Sequence, residues 1–111
     1  MSPKSLALLI REAALDKKAE EPVVLDLAKV TNVARYFVIC HGNSDRHVKA
    51  LADHIIETAE AKKAKLYHCE GLKEGLWVLL DFGVVIVHIF YKHTREYYGL
   101  ERLWGDAPRL S

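Results

Sequence analysis

Between Gly83 and Lys92 the chain runs Val84-Val85-Ile86-Val87-His88-Ile89-Phe90-Tyr91, with His88 the one strongly polar side chain in the stretch. No apolar/polar alternation is left in it, so neither face can be turned to water. A strand of this kind is covered on both sides and belongs at the centre of a sheet. The rest of the chain must then supply flanking strands and helices to cover them. At 111 residues, half of them hydrophobic, the sequence has room for one such domain, spanning 1–111, and none for a second. It is also too apolar for disorder and long enough to need no disulfide or metal staple.

The remaining elements read outward from that strand. Pro3 to Lys18 has a capping Ser2, a proline suited to the first helical position, and Leu6, Leu9, Ile10 and Ala13 at helical spacing. Val23 to Leu27 and Tyr36 to Cys40 are short branched or apolar runs that read as strands. Gly42-Asn43-Ser44-Asp45 breaks the second of these and offers a cap to an amphipathic helix over Arg46 to Lys63, with Val48, Leu51, Ala52, Ile55, Ile56 and Ala59 on one face. Leu66 to Glu70 reads as a short strand and Gly71 to Gly75 as a loop. Leu76 to Leu80 reads as a strand joined through Asp81, Phe82 and Gly83 to the central one as a hairpin. With a short helical tail, the sum is an α/β layer of about five strands.

Sixteen Lys and Arg stand against 15 Asp and Glu, a net charge of +1 without a like-charged block. That gives no electrostatic case for binding nucleic acid or an anionic membrane directly. The apolar run Leu6 to Ile10 is too short for a signal-peptide core, and no segment approaches the roughly 20 apolar residues of a membrane span, so a soluble cytoplasmic protein is expected. Cys40 and Cys69, 29 apart and each in a strand-like run, read as reduced thiols in or near the core.

The six histidines fail as a metal site. His47 and His54 are seven apart on one helix, about 10 Å along its axis and too far to share an ion. Cys40 and His41 are neighbours on a strand and point to opposite faces. HExxH, CxxC, GxSxG, Walker A and GxGxxG are all absent. Asp26, Glu70 and Asp81 lie on separate elements with no spacing that joins them. No cofactor is expected, and His88 reads as a satisfied buried histidine. The Gly42 to Asp45 turn is a helix start and at most a weak phosphate site.

Aromatic residues are what stand out. Seven of the ten lie after position 76: Trp77, Phe82, Phe90, Tyr91, Tyr97, Tyr98 and Trp104, interleaved with Arg95, Glu101 and Arg102. Trp, Tyr and Arg dominate interface hot spots, although in a small domain several of them must also complete the core. Trp77 opens a strand beside a glycine loop, where a large side chain stays partly exposed.

Six runs in register now form a pattern: Tyr36-Phe37-Val38-Ile39, Gly42-Asn43-Ser44-Asp45-Arg46-His47-Val48, Glu70-Gly71, Trp77-Val78-Leu79-Leu80-Asp81, Val87-His88-Ile89-Phe90, and Arg95-Glu96-Tyr97-Tyr98-Gly99-Leu100-Glu101-Arg102-Leu103-Trp104. Over about Leu6 to Pro108 the chain resembles the ribosomal silencing factor (RsfS, or Iojap) family. The resemblance implies a mixed sheet shaped like a nucleotidyltransferase without its catalytic carboxylates, and no enzymatic activity. It also implies a partner, large-subunit ribosomal protein number fourteen, bound on the inter-subunit face so that subunit joining and translation are blocked. Free members are homodimers, which implies the same here. By the same resemblance Trp77 is the first contact residue, and His88, Arg95, Tyr98, Leu100, Glu101 and Trp104 are further candidates. Gly42, Ser44 and Arg46 match the family's turn and helix start.

Three positions depart from the family pattern: Arg35 replaces a usual aspartate, His41 a threonine, and Val84 an acidic residue. Loss of two acidic groups is expected to alter the electrostatics of the contact face. Two other classes compete with this reading. One is a small nucleotide-binding or nucleotidyl-transfer enzyme using the Gly42 to Asp45 turn, which two carboxylates converging there would favour. The other is a homo-oligomeric scaffold without a ribosomal role.

Overall fold

The computed structural model describes residues 1–110. Five strands form one mixed sheet: β1 (Glu20–Asp26), β2 (Tyr36–Gly42), β3 (His68–Glu70), β4 (Trp77–Asp81) and β5 (Val85–Tyr91), in the order β1-β2-β5-β4-β3. The apolar run is thus the middle strand. It pairs parallel with β2 and antiparallel with β4, and antiparallel pairs β1/β2 and β3/β4 complete the sheet.

Helices α1 (Pro3–Asp16) and α2 (Asp45–Ala61) cover one face. Ser2 Oγ accepts the amide of Ser5 and Ser44 Oγ that of His47, so both helices begin where the sequence supplies a cap. Leu6, Ile10, Val48, Leu51 and Ile55 meet Val38, Cys40, Val78, Leu80, Val87 and Ile89 in the main core. The other face carries Phe37, Ile39, Phe90, Trp77 and Ile86, and there the cover is thinner: two short helices, α3 (Lys92–Tyr98) and α4 (Leu100–Leu103), hinged at Gly99 in the left-handed conformation.

Several boundaries differ from those read off the sequence. β1 starts at Glu20 rather than Val23 because a bulge between Glu20 and Val23, with Glu21 at φ 49°, lets the chain rejoin the ladder opposite His41. β3 is shorter than expected, beginning at His68, and β4 is shifted by one residue to Trp77–Asp81. Residues 108–110 return along the outer edge of β1, with Asp26 N donating to Pro108 O at 2.8 Å and Leu110 N to Val24 O at 2.7 Å.

Candidate functional site

The thinly covered face is where the expected residues gather. Strand alternation puts Trp77 and Leu79 of β4, Ile86, His88 and Phe90 of β5, and Phe37 and His41 of β2 on it. Trp77, Phe90 and His41 lie in one row across three strands, since Phe90 is the register partner of both others. Two glycines fix Trp77 from outside the strand. Gly71, at φ 80°, lies so close that any side chain would overlap the Trp77 carbonyl oxygen, and Gly75 closes the loop by donating to Gly71 O at 3.0 Å.

Trp77 is half-buried at the centre of an aromatic group. Its ring lies 4.4 Å from Tyr98 and 5.2 Å from Phe90, and its indole N–H donates to His88 Nδ1 at 3.1 Å. Phe37 meets His88 and Trp104 edge to face at 4.7 and 5.5 Å. Leu100 packs on the same cluster. Tyr98 is 49% exposed, and Tyr97 and Leu103 beside it are 75% and 73% exposed. A shallow hollow of about 300 Å³ opens between Glu70, Gly71, Trp77 and Leu79. An apolar centre of large rings with charge only at its rim is the build of a docking surface.

Trp77, Tyr98, Leu100 and Trp104 therefore meet on one face, whereas two of the expected contact residues do not present themselves there. His88 is 4% exposed and Arg95 8%. His88 lies beneath Trp77, and burial drives its pKa down to about 4. With Nδ1 accepting from the indole, its proton sits on Nε2, which has no partner among the described residues. It is thus not the fully satisfied histidine expected. Arg95 is drawn inward by a polar chain: Nε donates to Glu101 Oε1 at 2.8 Å, Nη1 lies 2.8 Å from His41 Nδ1, and Nη1 donates to Glu20 O at 3.3 Å. Glu101 is consequently an internal partner of Arg95, with one side at the rim. The sequence reading missed Leu79, and it left Tyr97 and Leu103, both within the last of the six runs, out of the contact set. Leu79 was accessible through the period-two pattern from Trp77, whereas the exposure of the other two depends on the break at Gly99.

Arg35 and Val84, expected to alter the contact face, lie at the far end of the sheet. Tyr36 pairs with Val85 and Trp77 with Phe90, a separation of about 16 Å along β5. Arg35 instead reaches Asp26 at 3.4 Å and lies over the ring of Tyr36. Of the three departures only His41 joins the row of Trp77.

The Gly42 to Asp45 turn borders a separate hollow of about 500 Å³ lined by Asn43, Ser44, Asp45, Glu74, Leu76 and Tyr91. Two carboxylates share it, but the lining has no cation to hold a phosphate. Among the described residues no group of three His, Cys, Asp or Glu is placed to hold a metal. Asp26 and Glu70 stand on opposite edge strands. Among those residues, too, no helix is long and apolar enough to cross a membrane. Both thiols are free. Cys40 is buried in the main core, which pushes its pKa up to about 12, and burial raises that of half-buried Cys69 as well.

A family model described as "Ribosomal silencing factor during starvation" (RsfS) matches residues 1–111. The chain is 46% identical over 108 residues to ribosomal silencing factor RsfS of Bacillus subtilis, covering 97% of this chain and 92% of that protein. It is 32% identical over 106 residues to the chloroplastic protein Iojap of Zea mays, covering 96% of this chain and 46% of that one. Among solved structures, a crystal structure of a Chromobacterium violaceum protein superposes with a TM-score of 0.92 at 34% identity, covering 95% of this chain and 88% of the other. One from Bacillus halodurans superposes with a TM-score of 0.86 at 38% identity, covering 97% and 98%.

Proposed function

The chain belongs to the ribosomal silencing factor family, and on that premise we propose that it represses translation by docking on the large ribosomal subunit and keeping the small subunit away. The partner is large-subunit ribosomal protein number fourteen, and the docking face is the aromatic surface around Trp77. What carries this reading is the uncovered Trp77–Tyr98 pair, with its rings 4.4 Å apart and Tyr98 half in solvent.

Size supports the mechanism. The chain measures 34 × 32 × 22 Å, so its broad face accommodates the roughly 800 Å² per partner of a standard interface. Its thickness is several times the contact distance of about 4 Å across which two subunits touch. Occlusion of this kind involves no covalent step. In the absence of ribosomes the same face is the one a second copy of the chain would cover, and the free protein is then a homodimer.

The test is co-sedimentation with isolated large subunits, small subunits and joined ribosomes, with Trp77→Ala in parallel at the same salt and its fold checked by circular dichroism. Binding is expected on free large subunits alone. The variant should weaken it about 30-fold or more, as a central aromatic anchor does. A protein that stays in the supernatant throughout refutes the proposal.

A second reading, nucleotide binding at the Gly42 to Asp45 turn, is favoured by one observation: Asp45 and Glu74 line the same hollow. The lack of a cation there opposes it. Titration with magnesium and ATP decides, since saturable binding lost in Asp45→Asn would favour this reading over docking.

A further inference from the structure

The row that contains Trp77 reaches β2 at His41, about 10 Å away across two strand spacings. His41 is 9% exposed and has a partner on each ring nitrogen. Nε2 is 2.9 Å from Glu20 Oε2, and Nδ1 is 2.8 Å from Arg95 Nη1. An arginine has only donors to offer, so Nδ1 must accept, and the hydrogen on Nε2 goes to the carboxylate. The geometry thus selects the neutral imidazole in one tautomer.

That ring ties the first strand to the docking face. Glu20 is brought opposite His41 by the bulge in β1, and its carbonyl takes a second bond from Arg95. Arg95 lies three residues before Tyr98 on α3, so the two share a side of the helix. What fixes Arg95 therefore fixes the ring resting on Trp77. α3 is also anchored at Thr94, one residue before Arg95 and in the first half of the helix, whose hydroxyl donates to Leu76 O at 2.6 Å.

We propose that His41 is a positioning residue for the docking face and makes docking acid-sensitive: neutral, it holds Arg95 and so Tyr98 against Trp77, and protonated, it lets them go. A proton on Nδ1 sets donor against donor and cation against cation at the Arg95 contact. The charged groups facing His41 determine which contact survives. Glu20 and Glu21 come from β1, Lys92, Arg95 and Glu96 from α3, and Glu101 from α4. The carboxylates hold the imidazolium beside Glu20, so Arg95 is the group displaced. Thr94 keeps α3 on the sheet, and the helix loosens without unfolding. His88 lies on the same face beneath Trp77, and burial holds its pKa down to about 4, so it takes no part in this exchange at mildly acidic pH.

The inference rests on the docking reading, and the experiment has two arms so that the two can fail separately. In the first, nuclear magnetic resonance of the free protein follows the His41 ring and the Trp77–Tyr98 ring contacts from pH 7.5 to 5.5. Loss of those contacts in step with His41 protonation is expected. Contacts that persist down to pH 5.5 overturn the proposal, whatever the ribosome does. In the second arm, large-subunit co-sedimentation is measured over the same range for the wild type, His41→Ala and His41→Asn. The wild type should lose about tenfold on acidification, the value of one charge-assisted hydrogen bond. His41→Ala should bind weakly at every pH. His41→Asn, whose carboxamide oxygen accepts from Arg95 and does not titrate, should recover part of the affinity with a flat profile. Variants that lose binding as steeply as the wild type overturn the proposal. A wild type that binds at no pH removes the docking reading and leaves the first arm to decide the coupling alone.

Discussion

Gly71 and Gly99 are both left-handed, at φ 80° and 58°, but their surroundings differ in a way that a paired substitution can separate. A Cβ at Gly99 would meet the far end of the Arg102 side chain, which can swing away. At Gly71 it would overlap the backbone carbonyl of Trp77, which can yield only by moving a strand. Gly99→Ala should therefore cost only the left-handed penalty, about 1–2 kcal/mol. Gly71→Ala carries the same penalty and an overpacking cost of about 1–3 kcal/mol, for a total near 3–4 kcal/mol. The gap of about 2 kcal/mol amounts to roughly 10 °C in melting temperature for a domain of this size. Urea unfolding of both variants, followed by tryptophan fluorescence, measures it. Equal destabilisation within about 0.5 kcal/mol would refute the claim that Trp77 is held by backbone contact from the glycine loop.

Ser44→Ala removes the acceptor of the His47 amide at the start of α2 and should cost about 1 kcal/mol in urea unfolding; no change would mean that the turn does not depend on its cap. In the native protein a thiol reagent at pH 8 should modify Cys69 well before Cys40, which burial keeps protonated and inaccessible, and equal rates would contradict that burial. His88 has its pKa lowered by burial to about 4 from an ordinary 6.5. The unfolded chain therefore binds a proton that the folded one refuses, and stability present above pH 6.5 is lost as pH falls towards 4, on the order of 3 kcal/mol across the window. His88→Gln, which keeps an acceptor for the Trp77 indole, should flatten that part of the stability curve, and an unchanged slope would assign it to other groups.

What could be read from the sequence was what local chemistry determines. The central strand is evident because its unbroken apolar run leaves it no solvent face, and α2 because Ser44 and a regular apolar stripe mark its start and its buried side. Trp77 at a strand start beside glycines is legible for the same reason. The partners of these side chains are not. Arg95 belongs to a local aromatic and charged run that suggests a contact residue, yet Glu20, 75 positions earlier, draws it inward, and no short-range pattern encodes that. The bulge that brings Glu20 there is hidden in Glu21-Pro22, which carries no strand pattern of its own. His88 looked like a filled core position, and only the register with β4 reveals that the indole of Trp77 takes one of its nitrogens.

The return of residues 108–110 along β1 determines how the sheet meets the outside world. A five-stranded open sheet has two edges, and each is an invitation to a foreign strand. One is filled by the molecule itself, through Pro108 and Leu110. The other is β3, three residues long, with His68 Nε2 and Glu70 Oε2 3.0 Å apart along it. Neither offers the long, flat, apolar rim from which fibrils and strand-swapped aggregates grow. A protein that carries a patch of bare aromatic rings is thereby left with one adhesive side, and its stickiness is confined to rings and kept away from backbone.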